Sequence, residues 1–185
     1  MVCEKKMTSL RDIKAEMTKV VYDILEKNNI KCFLTGGSLL GAYRDGGELP
    51  TAAYPGGNFN IDEKDLRENF STLKKQFADI GLNVTHGKKK RTFTIFVKWS
   101  KGIHCELIGY YKDGDMYYRR ALLLKVIPAE YFEKPFTQIK LMGNYYPAPY
   151  DIESYLEWLY GDWKIKRDSI DATDFKSKKH LRPLP

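Results

Sequence analysis

The turn Gly36-Gly37-Ser38 is the sharpest local feature of the sequence, because its residue types suit the binding of a phosphate. It lies between a predicted buried strand over 30–34 and the beginning of a predicted helix, and two glycines let a backbone approach a ligand closely. The N–H groups and dipole at a helix N-terminus attract phosphate, and a serine hydroxyl adds a donor. Arg44 could supply a fork-shaped cation for phosphate oxygens. A turn of this composition can also be no more than a turn.

A strand with polar residues at alternate positions is the second candidate. Asn58, Asn60 and Asp62 fall on one face, since successive side chains of a strand point to opposite faces. Metal-dependent phosphoryl transfer uses carboxylates that converge on Mg²⁺, but the first two positions here are amides. Glu106, an acid within the apolar strand predicted over 103–111, lies where a third ligand would fall. An acid at that position can equally face solvent.

The elements that must position these residues follow from the hydrophobic periodicity. A capped amphipathic helix is predicted over 8–28, with Ser9 and Asp12 at its N-terminus. Further helices are predicted over 39–44, 63–80 and from 151 to about 160, with a loop over 45–57. Strands are predicted over 58–61, 82–84, 92–99, 103–111, 116–124 and 137–142. Helix–strand–helix followed by a meander is typical of an α+β fold with a mixed sheet flanked by helices.

Length and composition predict one globular domain over 1–170 and a polar C-terminal tail over 171–185. The 43% of hydrophobic residues excludes a disordered or collagen-like chain. Lys and Arg number 31 against 24 Asp and Glu, and much of the excess lies in Lys88–Arg91 and in the tail. A basic balance favours an anionic partner such as a nucleotide or a phosphorylated glycan, with nucleic acid as a further possibility. A merely basic surface would look the same.

The compartment is predicted from what the sequence lacks. No apolar run approaches the roughly 18–20 residues of a membrane-spanning helix, and the N-terminus has no apolar segment typical of a secretory signal. Three cysteines without C-x-x-C spacing argue against a disulfide framework or a zinc site. These features predict a cytoplasmic protein as written, although a luminal domain without its anchor would look alike.

The segment over 33–50 resembles the opening motif of the LicD/fukutin family. It reads FLTGGSLLGAYRDGGELP, and the family's form is roughly G-[GT]-[ST]-L-L-G-x-x-R-x-G-x-[IL]-P, followed by alternating aspartates. Near the C-terminus, YPAP at 146–149 and LYGDW at 159–163 resemble the family's closing segment. Two ordered motifs spanning about residues 30 to 165 make the resemblance specific.

This resemblance implies a nucleotidyltransferase fold like that of DNA polymerase beta. Members of the family transfer an alcohol phosphate, such as phosphocholine or ribitol phosphate, from a CDP-linked donor to a glycan hydroxyl. They use a divalent metal, so the resemblance implies Mg²⁺ or Mn²⁺ as cofactor. Carried over to this chain, Gly36, Gly37 and Ser38 would bind the donor phosphates, with Arg44 nearby.

The chain departs from the family at the alternating aspartates. Asn58 and Asn60 occupy these positions, with Glu106 as the third acid, so these three are the predicted catalytic residues. Together with Asp62 they are also the predicted metal ligands. An amide is a poorer ligand for a hard cation than a carboxylate, which predicts weakened metal binding and impaired transfer.

Three accounts of the departure remain open. The chain is a deliberately substituted and silenced enzyme, a natural non-catalytic relative, or an enzyme that uses Asp62 and Glu106 in a shifted register. The paired, isosteric exchange favours the first. Two other functions compete with transfer of an alcohol phosphate. One is a scaffold that keeps the fold, and the other is a template-free nucleotidyltransferase, which the basic balance supports.

Overall fold

The computed structural model describes residues 9–49, 54–87, 93–100, 102–120 and 124–166. Helix α1 (Leu10–Lys27) comes first. Ser9 caps it as predicted, because its hydroxyl oxygen accepts the backbone N–H of Asp12. Apolar residues at helical spacing bury one face of α1 against the sheet, among them Met17, Val21 and Leu25.

Seven strands form the main sheet. They are β1 (Cys32–Leu34), β2 (Asn58–Asp62), β3 (Asn83–His86), β4 (Thr94–Ser100), β5 (Ile103–Asp113), β6 (Met116–Arg120) and β7 (Leu124–Pro128). The order is β1-β2-β5-β4-β3, and the far end of β5 pairs with β6, which pairs with β7. The β2–β5 pair is parallel and the other pairs are antiparallel. The sheet is therefore mixed, as predicted, and the α+β prediction is confirmed.

Five further helices and a small second sheet complete the described fold. The helices are α2 (Gly36–Arg44), α3 (Glu63–Glu68), α4 (Phe70–Asp79), α5 (Glu130–Glu133) and α6 (Ile152–Tyr160). Strands β8 (Thr137–Leu141) and β9 (Asn144–Ala148) form an antiparallel pair. No helix in the described ranges is long and apolar enough to cross a membrane.

An aromatic cluster joins the sheet to these outer elements. The ring of Phe33 on β1 contacts Phe132, Phe136 and Tyr155 edge-on, at centroid distances of 5.0, 5.2 and 5.6 Å. Phe132 stacks in turn on Tyr117 of β6, with centroids 4.0 Å apart. Large buried rings contribute both apolar area and specific edge contacts, so α5 and α6 are fixed against the strands that line the site.

The structure differs from the sequence-based prediction at several boundaries. The helix predicted over 63–80 is two helices separated at Asn69, whose side chain donates to the Asp65 carbonyl. Such a side-chain bond competes with continuation of the helix. The strand predicted over 116–124 ends at Arg120, and β7, α5 and β9 were not predicted. The Lys88–Arg91 run and the tail over 171–185 lie outside the described residues.

Candidate active site

A pocket of about 220 Å³ lies where the turn before α2 meets β2, β5, the β6–β7 hairpin and α6. Its volume is below the roughly 300–1,000 Å³ of sites that enclose a drug-sized ligand, so it can enclose only part of a nucleotide. Glycines and polar residues provide much of its lining: Thr35, Gly36, Gly37, Tyr54, Asn58, Asn60, Glu106, Arg119 and Lys125.

The register of two parallel strands brings the predicted catalytic residues together. Asn58 of β2 lies directly opposite Glu106 of β5, and Asn60 lies opposite Ile108. Because residues i and i+2 of a strand share a face, Asn58, Asn60 and Glu106 all line this pocket. The structure therefore places these three side chains in one site, while their roles stay predictions.

The two asparagines of β2, which we call the amide wall (Asn58 and Asn60), are held by tyrosines. Asn58 Nδ2 donates to the hydroxyl of Tyr54 at 2.7 Å, and Asn60 Nδ2 donates to the hydroxyl of Tyr155 at 2.8 Å. The Oδ1 atoms of both asparagines are buried, with no hydrogen-bond partner among the residues that the structure describes. An unsatisfied buried acceptor costs roughly 1–3 kcal/mol. A ligand that donates hydrogen bonds to these two Oδ1 atoms would recover that cost.

The diglycine turn lies against Tyr54. Gly36 has a φ of +59°, which favours glycine, and the backbone N–H of Gly37 donates to the Tyr54 hydroxyl at 3.1 Å. A Cβ on Gly37 would overlap the Tyr54 ring, so a glycine is required there for close approach. Burial raises the pKa of Tyr54 to about 12 and keeps the phenol neutral at physiological pH.

Ser38, predicted to bind phosphate, is buried just behind the turn and does not line the pocket. Its hydroxyl donates to the Gly56 carbonyl at 3.1 Å and accepts the backbone N–H of Asn58 at 2.9 Å. The single hydroxyl proton is thus already used to fix the loop before β2 to α2. Phosphate binding by Ser38 stays a prediction, and it requires that bond to break.

Arg44 and Asp62 also lie outside the pocket lining. The guanidinium of Arg44 binds both carboxylate oxygens of Asp45, at 3.0 and 2.8 Å. Asp62 caps α3 by accepting the Lys64 backbone N–H at 2.9 Å, and it accepts the hydroxyl of Tyr117 at 3.1 Å. Since the Asp62 carboxylate stabilises a helix terminus, its predicted role as a metal ligand has no support from this geometry.

Two positively charged residues of the β6–β7 hairpin line the pocket, and we call them the cationic wall (Arg119 and Lys125). The two residues are direct cross-strand neighbours, and both line the pocket. Burial, followed by the positive charge of Arg119, lowers the pKa of Lys125 to about 8. Sequence reasoning missed this wall, because neither residue belongs to a motif and their pairing depends on the predicted strand 116–124 being two strands.

The donor set of the pocket does not fit a catalytic divalent metal. Of the described lining residues, Glu106 alone is a carboxylate, the amide wall is neutral, and the cationic wall adds two positive charges. No group of three or more His, Cys, Asp or Glu suited to a metal occurs in the described part of the chain. Mg²⁺ binds through carboxylates and phosphates, so the predicted site at Asn58, Asn60, Asp62 and Glu106 lacks the charge that a metal requires.

The fold combines a mixed sheet, a diglycine turn that opens a helix, and polar positions of β2 and β5 in one pocket. The sequence profile of the LicD/FKTN/FKRP nucleotidyltransferase domain matches residues 29–151. The chain belongs to this family, which confirms the resemblance found in the motifs.

Two further similarities accompany the family match. An uncharacterized protein of Rickettsia typhi is 27% identical over 168 residues, which cover 85% of this chain and 48% of the relative. The chain thus spans about half the length of that relative. The lincomycin-bound crystal structure of a lincosamide antibiotic adenylyltransferase superposes with a TM-score of 0.48 and 11% identity, covering 89% of this chain and 94% of the other.

Proposed function

We propose that this chain is a LicD-type transferase domain that binds a CDP-linked alcohol phosphate in the pocket beside the diglycine turn. The acceptor of the alcohol phosphate would be a hydroxyl group of a glycan or of a small molecule. Membership of the family supports a transferase that uses a nucleotide-activated donor. The particular alcohol, whether choline or ribitol, follows only from the resemblance.

The single observation that carries the proposal is the content of the pocket. Asn58 and Asn60 stand directly beside Glu106, each with a buried Oδ1 that lacks a partner among the described residues. In this arrangement Glu106 is the group that can accept the proton of an attacking hydroxyl. The diglycine turn would position the phosphates through its backbone.

The same pocket argues that transfer by this chain is impaired. A phosphoryl group in transfer carries negative charge that must be neutralised, and the amide wall cannot recruit a cation as two carboxylates would. Changes beside a metal site already cost roughly 10–100-fold, and we expect the loss of two ligand charges to cost more. A module that binds the nucleotide without turnover is therefore the second candidate, and it rests on the same two asparagines.

The double variant Asn58→Asp/Asn60→Asp tests the proposal. Three clustered carboxylates repel each other, so we expect the melting temperature to fall without metal and to rise when Mg²⁺ or Mn²⁺ is added. We also expect alcohol-phosphate transfer from CDP-choline or CDP-ribitol to increase by roughly 100-fold or more over the unmodified chain. Product mass distinguishes this transfer from addition of a nucleoside monophosphate, which would indicate the nucleotidyltransferase alternative.

A matched control adds the same two charges away from the pocket. Asn83 on β3 and Gln138 on β8 are both exposed, so Asn83→Asp/Gln138→Glu should show neither metal-dependent melting nor new turnover. Metal-dependent melting without turnover would favour the binding module. The absence of any melting shift with cytidine nucleotides, in the unmodified chain and in the double variant, would contradict the whole proposal.

A further inference from the structure

The cationic wall contains an arrangement that costs stability. Arg119 and Lys125 lie directly opposite each other in the antiparallel β6–β7 pair. Like charges in this position are destabilising, because their side chains are neighbours on the same face of the sheet. Both residues are half-buried, which strengthens the repulsion relative to an exposed pair. A destabilising pair in a pocket suggests a role in binding.

The charges around the pocket identify the kind of ligand. Among the described lining residues, two are cationic and one, Glu106, is anionic, so the pocket carries an excess of one positive charge. Glu106 favours the charged form of Lys125, while burial and Arg119 oppose it. An anion placed between the two cations would relieve their repulsion, and its attraction to them would be stronger because the site is partly buried. An added cation would increase the repulsion.

The amide wall is compatible with an anion in a way that carboxylates would not be. A carboxylate presents only acceptors, but an amide presents an acceptor at one edge and two donors at the other. Rotation of the Asn58 amide by 180° would let its unpartnered Oδ1 accept the hydroxyl proton of Tyr54. Its Nδ2 would then become available as a donor. Two amides at these positions therefore neither repel an anion nor attract a metal as two carboxylates would.

We propose that Arg119 and Lys125 bind the diphosphate of a nucleoside diphosphate directly, with no divalent cation between protein and phosphate. A guanidinium binds phosphate oxygens in a two-pronged manner, and an ammonium adds a compact point charge. These two groups supply the positive charge that a metal would otherwise bring to the pocket. The assignment of a nucleotide as the ligand rests on the proposed function, whereas the anion site rests on the register of the hairpin and on the charges that line the pocket.

Titration calorimetry with CDP, and separately with inorganic pyrophosphate, in a low-salt buffer containing EDTA tests this site. We expect both ligands to bind the unmodified chain without metal. Each of Arg119→Gln and Lys125→Met should weaken binding by roughly tenfold or more, since each removes a charge-assisted hydrogen bond to the phosphates. Binding of CDP but not of pyrophosphate would overturn the assignment, because the base rather than the phosphates would then supply the affinity.

Matched variants distinguish loss of the anion site from a general loss of positive charge and from a loss of folding. Lys98→Met on β4 removes one exposed positive charge outside the pocket and should change the affinity by less than twofold. The charge-preserving variant Lys125→Arg should retain most of the binding that Lys125→Met loses. Equal losses in Lys98→Met and Lys125→Met, or unchanged binding in both cationic-wall variants, would overturn the proposal.

Failure of this proposal and failure of the proposed function give different results. If the anion site is wrong, CDP binding in EDTA will not depend on Arg119 or Lys125, although Asn58→Asp/Asn60→Asp could still gain metal-dependent transfer. If the proposed transferase is wrong, that double variant will gain no transfer, although pyrophosphate could still bind the cationic wall.

Discussion

The amide wall and the cationic wall enclose the same pocket with different chemistry. The amide wall lies on β2, between β1 and β5, at the positions where the family motif predicts alternating aspartates. The cationic wall lies on β6 and β7, which extend the sheet from the far end of β5. The amide wall is neutral at positions where the family motif predicts acids, and the cationic wall carries positive charge that no motif predicts. The pocket therefore presents a neutral surface and a cationic surface to the same ligand.

The largest effect is expected where the two walls are joined. Phe132 stacks on Tyr117 of β6 and contacts Phe33 of β1, so it packs between a strand of the cationic wall and the strand that pairs with the amide wall. Phe132→Ala should lower the free energy of unfolding by about 3–5 kcal/mol, because a large buried ring leaves a cavity. Urea unfolding measures the change. The half-buried Phe96 is a control, since Phe96→Ala should cost less, and equal losses would show that Phe132 does not join the walls.

The pH dependence of stability tests the lowered pKa of Lys125 in the cationic wall. The folded pKa of Lys125 is about 8, below the roughly 10.4 of an unfolded chain. Between these values the unfolded chain binds more protons, so this lysine makes stability rise with pH. The free energy of unfolding of the unmodified chain should therefore increase relative to Lys125→Met from pH 8 to pH 10, by at most about 3 kcal/mol.

Chemical denaturation of both proteins across that range gives the difference directly. The other titratable groups are present in both chains, so their contributions to the difference cancel. Lys98→Met, which removes an exposed lysine, should show no such trend. A flat difference for Lys125→Met would mean that burial and the neighbouring Arg119 do not lower the pKa of this lysine.

A smaller effect is expected at the turn beside the amide wall. Gly37→Ala should cost about 1–3 kcal/mol, because its Cβ would overlap the ring of Tyr54. Thermal melting of Gly37→Ala in a Tyr54→Ala background should show a smaller loss than in the unmodified chain. Gly87→Ala is the matched control, since its Cβ would meet its nearest neighbour at 3.9 Å and should change stability by under ~0.5 kcal/mol. Equal losses in both backgrounds would exclude the Tyr54 contact as the cause.

The smallest effect is expected next to Glu106 but outside the pocket. His104 Nε2 lies 3.6 Å from Glu106 Oε1, and both side chains are about a quarter exposed. His104→Gln should change the free energy of unfolding by less than ~0.5 kcal/mol, since partly exposed pairs contribute little. It should change pyrophosphate affinity by less than twofold in the same calorimetric assay. A larger change would extend the binding site beyond the two walls.

Sequence reasoning predicted one wall and not the other for physical reasons. The amide wall and its Glu106 partner follow from the alternation of strand residues and from the family motif, both of which are local signals. The cationic wall depends on β7 folding back on β6, and the register that opposes Arg119 and Lys125 is set by the pairing of separate strands. The residue pattern of each strand taken alone does not show which residue of the other strand it will face.

Two other features of the fold were missed for related reasons. Tyr54 stands in a loop rich in glycine and proline, and its contact with Gly37 arises only because that loop returns to the turn. Strand β9 contains Pro147, which lowers the strand signal, and it pairs with β8 in a two-stranded sheet where a proline is tolerated. In both cases a residue typical of loops performs a structural role that only tertiary contacts define.

The position of Tyr54 has a consequence for every measurement of affinity at this site. Its hydroxyl already accepts the Gly37 N–H and the Asn58 amide, two donors that an incoming phosphate would use. In the ligand-free protein the Tyr54 hydroxyl therefore occupies the position that such a phosphate would take at the diglycine turn. A ligand that binds the Gly37 N–H must first displace the Tyr54 hydroxyl, and its dissociation constant then reports that exchange rather than the strength of the new bonds alone.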